Sequence, residues 1–382
     1  MPRIALALLV AALAACDATG TGPGGPDTPS PGSTFAHVSA GATHTCGVLT
    51  GGAAVCWGIG QSGELGTSTT ASESVAVAVT GGLTFDRVSA GTSFTCGVTT
   101  GGDTFCWGAG SSGQLGDGTT TASRSFPVRI LSTPTMKRVS AGVATACGVT
   151  TDNELFCWGA NTVGQRGTPG STGGAPTPVL GDFTLVDVGG NHACAISTSD
   201  DAAKCWGSNS FGELGTGASP LNQNSPQLVT GGRDFRDITV GTANFTCATT
   251  TDSDTFCWGR NDSGQLGNGS IRNSTTPVQI LGARDFVQID AGGAHACGIT
   301  SDGQAFCWGR NTAGQLGDGT TTDRNTPVAV SASLDFKEIS AGEQHTCAVT
   351  TGGDVWCWGA NNGRLGNGST AGSAVPVRVL VR

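Results

Sequence analysis

The apolar residues of this chain are distributed in two different ways. Ile4 to Leu13 (IALALLVAAL) form one unbroken apolar run behind the short basic start Met1-Pro-Arg3. That run is too short to span a bilayer as a helix, which takes about 20 residues, but it has the length of a signal-peptide core. From Phe35 onward the apolar residues come in short groups separated by Gly, Asp, Ser and Thr. No 3.6-residue period runs through them, so almost no helix is expected. In one stretch Phe286-Val287-Gln288-Ile289 leads into Ala291-Gly292, then Ala296 to Thr300, the turn Ser301-Asp302-Gly303, and Gln304 to Gly309. After Gly314 to Gly319 a last short strand follows at Thr326 to Val330. Apolar and small residues flanking an Asp-Gly turn predict a β-hairpin.

This pattern recurs. The triplet Cys-Trp-Gly begins at Cys56, Cys106, Cys157, Cys205, Cys257, Cys307 and Cys357, and a second cysteine precedes each, at Cys46, Cys96, Cys147, Cys194, Cys247, Cys297 and Cys347. Units of about 50 residues with strand-like segments point to a closed array. Three or four short strands in each of seven units predict an all-β, seven-bladed β-propeller over 35–382, whose radial closure protects the sheet edges. The first segment, Phe35 to Val38, and the last, Val375 to Leu380, are expected to share one blade and so close the ring.

Composition narrows the function. Gly is abundant at 63 residues, Tyr is absent, 12% of residues are charged and the formal net charge is −9. Lys occurs only at Lys137, Lys204 and Lys337, and no basic run exists, so the electrostatic footprint of a nucleic-acid binder is missing. Fifteen cysteines indicate metal or redox sites in a cytosolic protein and disulfides in an exported one. The N-terminus favours export. Leu13-Ala14-Ala15-Cys16 resembles the bacterial lipobox, which implies that 1–15 is a lipoprotein signal peptide and that Cys16 is lipidated. More than one acyl chain on a residue gives stable membrane anchoring. Residues 16–34, rich in Gly, Pro and Thr, cannot bury a core and read as a disordered tether. Asp17 after Cys16 resembles an inner-membrane retention signal of enteric bacteria.

The pattern A-G-x-x-H-T-C-x-V, then C-W-G-x-N-x-x-G-Q-L-G-x-G, then P-V-x-V resembles the RCC1 repeat family, named after a chromatin-bound regulator of chromosome condensation. The best copies are the fifth (Cys257-Trp258-Gly259-Arg260-Asn261, Gly264-Gln265-Leu266-Gly267) and the sixth, and the match covers Phe35 to Arg382. The resemblance implies a seven-bladed propeller that uses a broad face or edge to bind another protein. It says little about activity, because function sits on sites grafted onto folds. Two departures stand out. The basic tail of nuclear members is absent, and the fourth copy carries Lys204 where others place Val55, Phe105, Phe156, Phe256, Phe306 or Trp356.

Symmetric pairing of each hairpin sets its two cysteines opposite each other, close enough for a disulfide. The pairs are Cys46–Cys56, Cys96–Cys106, Cys147–Cys157, Cys194–Cys205, Cys247–Cys257, Cys297–Cys307 and Cys347–Cys357, with Cys16 left over for lipid. Metal binding is the rival, and it needs four clustered ligands where these pairs should be spread around a ring. His44, His192, His295 and His345 lie two residues before the first Cys of their units; they could ring a metal, but Phe94 and Phe245 stand at the same place, which favours packed strand residues. The repeated tryptophans could be glycan platforms, but their regularity favours blade packing. Gly267-Asn268-Gly269 and Gly317-Asp318-Gly319 read as turns, lacking the helix of a phosphate loop and the acidic spacing of a calcium loop.

No catalytic, cofactor or metal residue is assigned. The sequence is therefore expected to encode an exported, lipid-anchored, monomeric binding module for another exported or surface protein, with no nucleic-acid partner. The irregular stretches Thr168 to Pro176 and Thr216 to Ser225 are the candidate contact loops. The alternatives are a propeller hydrolase or lyase, a glycan binder and, by family analogy, a guanine-nucleotide exchange factor.

Overall fold

The computed structural model describes residues 33–382, apart from 121, 132, 219, 220 and 283. The signal-peptide reading of 1–15, the lipidation site Cys16 and the tether up to residue 32 lie outside the described residues. The described chain contains strands and turns and no helix.

Each unit folds as a four-stranded antiparallel meander, and seven of these blades surround a central channel. Five blades are independent four-stranded sheets in strict chain order; the third and fourth are joined into one seven-stranded sheet. They share the 16-residue strand Gly173–Val188, which leaves the third blade as its outer edge and enters the fourth as its innermost strand. The cause is a short connection. Between blades the chain elsewhere takes a longer path, as from Val229 to Phe235, but here it passes directly from Val179 to Phe183.

That shortening also explains Lys204. In other blades the connection supplies a side chain that covers the aromatic residue beside the second cysteine: Arg233 lies 4.2 Å over Phe256 and Arg284 3.7 Å over Phe306. Leu83 packs in one cluster with Phe105, and Leu334 in another with Trp356. The fourth blade lacks the covering residue, and its position carries a lysine whose ammonium sits 5.9 Å from the Phe183 ring, with its charged end free to reach water.

The blades lock to one another through the repeated motif. Each Cys-Trp-Gly tryptophan is fully buried, and its indole N–H donates to a main-chain carbonyl in the Gly-Gln-Leu-Gly loop of the preceding blade. Trp107 bonds Glu64 O at 2.9 Å, Trp158 bonds Gln114 O at 3.0 Å, Trp358 bonds Gln315 O at 3.0 Å, and Trp57 of the first blade bonds Arg364 O of the seventh at 2.9 Å. The loop's second glycine lies directly on the ring. A Cβ at Gly317 would fall 2.7 Å from Trp358 Nε1, and its φ of +69° is one that L residues rarely adopt.

The two chain ends do not share a blade. Strands Phe35–Ala40 and Ser373–Arg378 belong to the first and seventh blades, each complete in itself. Sequence unit and structural blade are in phase, so closure falls to contacts between blades. The tail adds one parallel bridge, Ala76 to Val381, with Ala76 N donating to Leu380 O at 2.8 Å and Arg382 N to Ala76 O at 2.9 Å.

The loops expected to be irregular match their counterparts in length: the segment between third and fourth strands runs from 160 to 172 in the third blade and from 208 to 222 in the fourth. Gly173 to Pro176 are already strand.

Replacing Trp158 by Phe should destabilise the protein more than replacing Trp358 by Phe. Gln315 O keeps a second donor, Thr346 Oγ1 at 2.8 Å, whereas blade three has Ala146 in the threonine's place and Gln114 O loses its donor. A buried acceptor left without a partner costs about 1–3 kcal/mol. Chemical denaturation of the two variants measures the difference, and equal losses would contradict this account.

Candidate functional site

The innermost strands share the pattern Phe-x-x-Val-Ser-Ala-Gly, seen in Phe35–Ala40 and Phe85–Ala90. A register shift after the first residue lets it face into the blade with the fourth, and alternation from there turns the third and fifth into the channel. Seven such strands line a polar cavity of about 430 Å³ that opens to solvent.

The fifth positions build a closed girdle. Each side chain there accepts from the main-chain N–H one residue further along in the next blade: Ser39 Oγ from Ala90 N at 2.9 Å, Ser89 from Ala141 at 2.9 Å, and Ser140 from Val188 at 3.0 Å. Asp187 Oδ2 accepts from Val240 N at 2.6 Å, Thr239 from Ala291 at 2.9 Å, and Asp290 Oδ2 from Ala341 at 2.7 Å. Ser340 completes the circle on Ala40 N at 3.0 Å. At the far end of the channel the strands draw closer still; a Cβ on Gly41 would sit 2.4 Å from Gly91 O, so the residue must be glycine.

The third positions carry the charge, and they segregate it. His37, Arg87 and Arg138 occupy blades one to three; Asp237 and Glu338 lie on blades five and seven, and the girdle adds Asp187 and Asp290 to the acidic side. His37 is engaged, its Nδ1 2.5 Å from Glu338 Oε1 and its Nε2 2.7 Å from Val88 O, so both ring nitrogens face acceptors. Arg138 forms no side-chain hydrogen bond or ion pair with a described residue; burial and the neighbouring Arg87 charge lower its pKa, against Asp237 and Asp187, which raise it. The carboxylates feel the reverse. Burial, then the Asp187 charge, pushes Asp290 up to about 7, and burial raises Asp237 to about 6 and Asp187 above the ordinary range.

The structure separates the other candidates from this channel. The cysteines stand directly opposite in register and are joined as seven disulfides, with Cα atoms 4.0–4.1 Å apart and every sulfur buried. The seven Cys-Trp-Gly tryptophans are wholly buried and cannot stack a glycan. The histidines join neighbouring blades: His44 Nε2 meets Thr95 Oγ1 at 2.7 Å, His345 meets Thr45 at 2.7 Å, and His192 and His295 meet Thr246 and Thr346 at 2.9 Å. Since Thr95 donates to Glu64 O, its oxygen accepts from the His44 Nε2–H, and the buried Nδ1 meets no partner among the described residues. Burial lowers His44 and His295 to about 3 and His192 to about 4. Among the described residues no three His, Cys, Asp or Glu side chains converge as a metal site requires.

Sequence reasoning missed the channel charges. The signal available was the third position of the inner strand, which is His, Arg, Arg, Leu, Asp, Gln and Glu in turn while the fourth is always Val or Ile.

These two sets of groups tilt stability in opposite directions. A carboxyl held above its unfolded pKa weakens the fold as pH rises from about 4 to 7, whereas a histidine held below its unfolded value weakens it as pH falls below about 6.5. Asp290→Ser restores the residue found at Ser39 and Ser340 and removes one contribution. The variant should match the parent near pH 4 and exceed it by about 1–2 kcal/mol at pH 8, discounted for contact with solvent in the channel. Parallel denaturation curves across that range check this; a constant difference would contradict it.

Residues 14–337 match the RCC1-like domain family and residues 336–364 a regulator of chromosome condensation (RCC1) repeat. Human WBSCR16 superposes with a TM-score of 0.77 at 21% identity, over 86% of this chain and 93% of that one. Prp20p from Saccharomyces cerevisiae, described with its binding properties to Gsp1p and histones, gives 0.71 at 18% identity over 81% of each chain. The CRINKLY WD40 ectodomain of the Arabidopsis thaliana receptor kinase ACR4 gives 0.55 at 19% identity, over 92% of this chain and all of that one.

Proposed function

The chain belongs to the RCC1-like domain family, and on that premise we propose that it is an exported, lipid-anchored propeller acting as a protein-interaction module of the cell envelope, without enzymatic activity. The observation that carries the reading is the set of seven buried disulfides, one across the central hairpin of every blade. Disulfides persist in oxidising compartments and are rare in the cytosol. Each closes a short loop and removes unfolded-state entropy, by roughly 3 kcal/mol at most in the chain-entropy model. The result is a rigid disc, and a pre-organised surface loses little freedom when it binds.

Export supports membrane attachment through Cys16 and opposes a nucleotide-exchange role, which needs a cytosolic GTPase. The yeast relative's binding to Gsp1p and histones supports protein recognition as the use to which the fold is put. The partner here is another exported or surface protein. The contact candidates are the stretches 168–176 and 216–225, whose ends Gly173 to Pro176 and Gln223 to Ser225 are strand; Leu221, 74% exposed, lies at the Gly-Gln-Leu-Gly end of the disc.

Two measurements test this. In a host with a lipoprotein pathway the parent should fractionate with membranes and incorporate labelled palmitate, and Cys16→Ser should do neither; palmitate in the Ser variant would overturn the anchor. A photo-crosslinking residue at position 221 should give one discrete protein adduct in the envelope, and the same residue at Val287, on the opposite end, should not. No adduct from either position would overturn the protein-binding reading.

A further inference from the structure

The channel mouth is separate from the loops assigned to protein contact, and its charge pattern is unexplained by the fold. Five of the seven girdle positions, Ser39, Ser89, Ser140, Thr239 and Ser340, join blades through uncharged hydroxyls, and Asp187 and Asp290 do so through carboxylates. Arg87 and Arg138 add nothing to that girdle. Among the described residues Arg87 makes one side-chain bond, to the adjacent Asp86 at 3.4 Å, and Arg138 makes none. Like charges are neighbours on each side, the two guanidiniums on blades two and three and the carboxylates of Asp187 and Asp237 on blades four and five. Arg87 repels Arg138 and Asp187 repels Asp237, while Arg138 attracts both carboxylates across the mouth without closing an ion pair on either, so the mouth presents a basic half facing an acidic half.

We propose that this mouth binds a small zwitterion, of the size of an amino acid or dipeptide, with its carboxylate on Arg87 and Arg138 and its ammonium against Asp187 and Asp237. A simple anion would meet the acidic side and a simple cation the basic side; a molecule carrying both charges relieves the repulsion in both pairs. Guanidinium forks match carboxylate geometry, and carboxylates accept the three hydrogens of an ammonium. The cavity of about 430 Å³ has the volume of a small-molecule site, and its lining is mostly polar side chain and main chain, which suits a hydrophilic ligand over an apolar one.

The test uses the full chain carrying Cys16→Ser, so that it is handled without detergent. Glycine, alanine and glycylglycine are titrated by calorimetry and by thermal shift, with acetate, methylammonium and inorganic phosphate as single-charge controls. At least one zwitterion should bind with Kd at or below about 1 mM and raise Tm, while each control is at least about tenfold weaker. Arg138→Gln and Asp237→Asn should each lower affinity about tenfold or more, and the unliganded Tm of each reports whether it is folded. Should either variant fail to fold, the parent's own salt dependence serves instead, since affinity resting on two ion pairs falls as ionic strength rises. Absence of binding by every zwitterion at about 10 mM overturns the proposal, as does acetate or phosphate binding equally well. Neither outcome bears on the crosslinking result at position 221, so the two readings fail separately.

Discussion

One hydrogen bond, repeated around the ring, organises this molecule: a tryptophan indole N–H held by the main-chain carbonyl of the loop before it. Four-stranded blades offer each other flat faces, and flat faces packed only by hydrophobic contact can slide. The indole bond fixes the rotation of every blade relative to the last, because its acceptor lies in a loop clamped by its own blade. That need accounts for two sequence features at once. The tryptophan must follow the disulfide cysteine, where the strand is rigid, and the loop must place a glycine on the ring, as Gly317 does on Trp358. The arrangement closes on itself through Trp57 and Arg364 O.

Polar groups reinforce the same junctions at two other depths. Near the channel the girdle runs from Ser39 through Asp290 to Ser340 and back to Ala40. Further out, histidine meets threonine across four of the blade junctions. Buried polar groups are costly unless they are paired, so each such pair specifies which blade faces which. The disulfides act within blades and the hydrogen bonds between them, which divides the stability of a blade from the geometry of the ring.

Much of this was legible in the chain. Seven recurrences of Cys-Trp-Gly, the Asp-Gly and Gly-rich turns and the missing helical period were enough for an all-β propeller, since those are local properties. The ring contacts were harder to see, yet one left a trace. Where the next unit has Thr95, Thr246, Thr346 or Thr45, the unit before has histidine; where it has Ala146, Ala193 or Ala296, the unit before has Phe94, Thr145 or Phe245. A pairing between repeats is visible only when neighbouring units are compared position by position. Closure through a shared blade was the wrong expectation, because the phase between sequence unit and blade depends on which strand packs innermost, and no single unit reveals that. Lys204 was noticed as a departure, but its reason, the short passage from Val179 to Phe183, lies in a different segment that touches it only in the folded state.

The channel charges were the least legible feature, and the physics says why. A charged residue between Phe and Val in a short strand has the signature of an ordinary solvent-facing position. Those at His37, Arg87, Arg138, Asp237 and Glu338 come together only when the ring closes and turns them toward one channel. There the meaning of the charge changes: dispersed over a surface, Arg138 and Asp237 would be screened and nearly inert, whereas enclosed they shift each other's proton affinity. A repeat protein conserves its junctions in every unit because each junction faces the same task. The channel is where all units meet and no two need agree, so it is the place where a uniform scaffold can acquire an individual function.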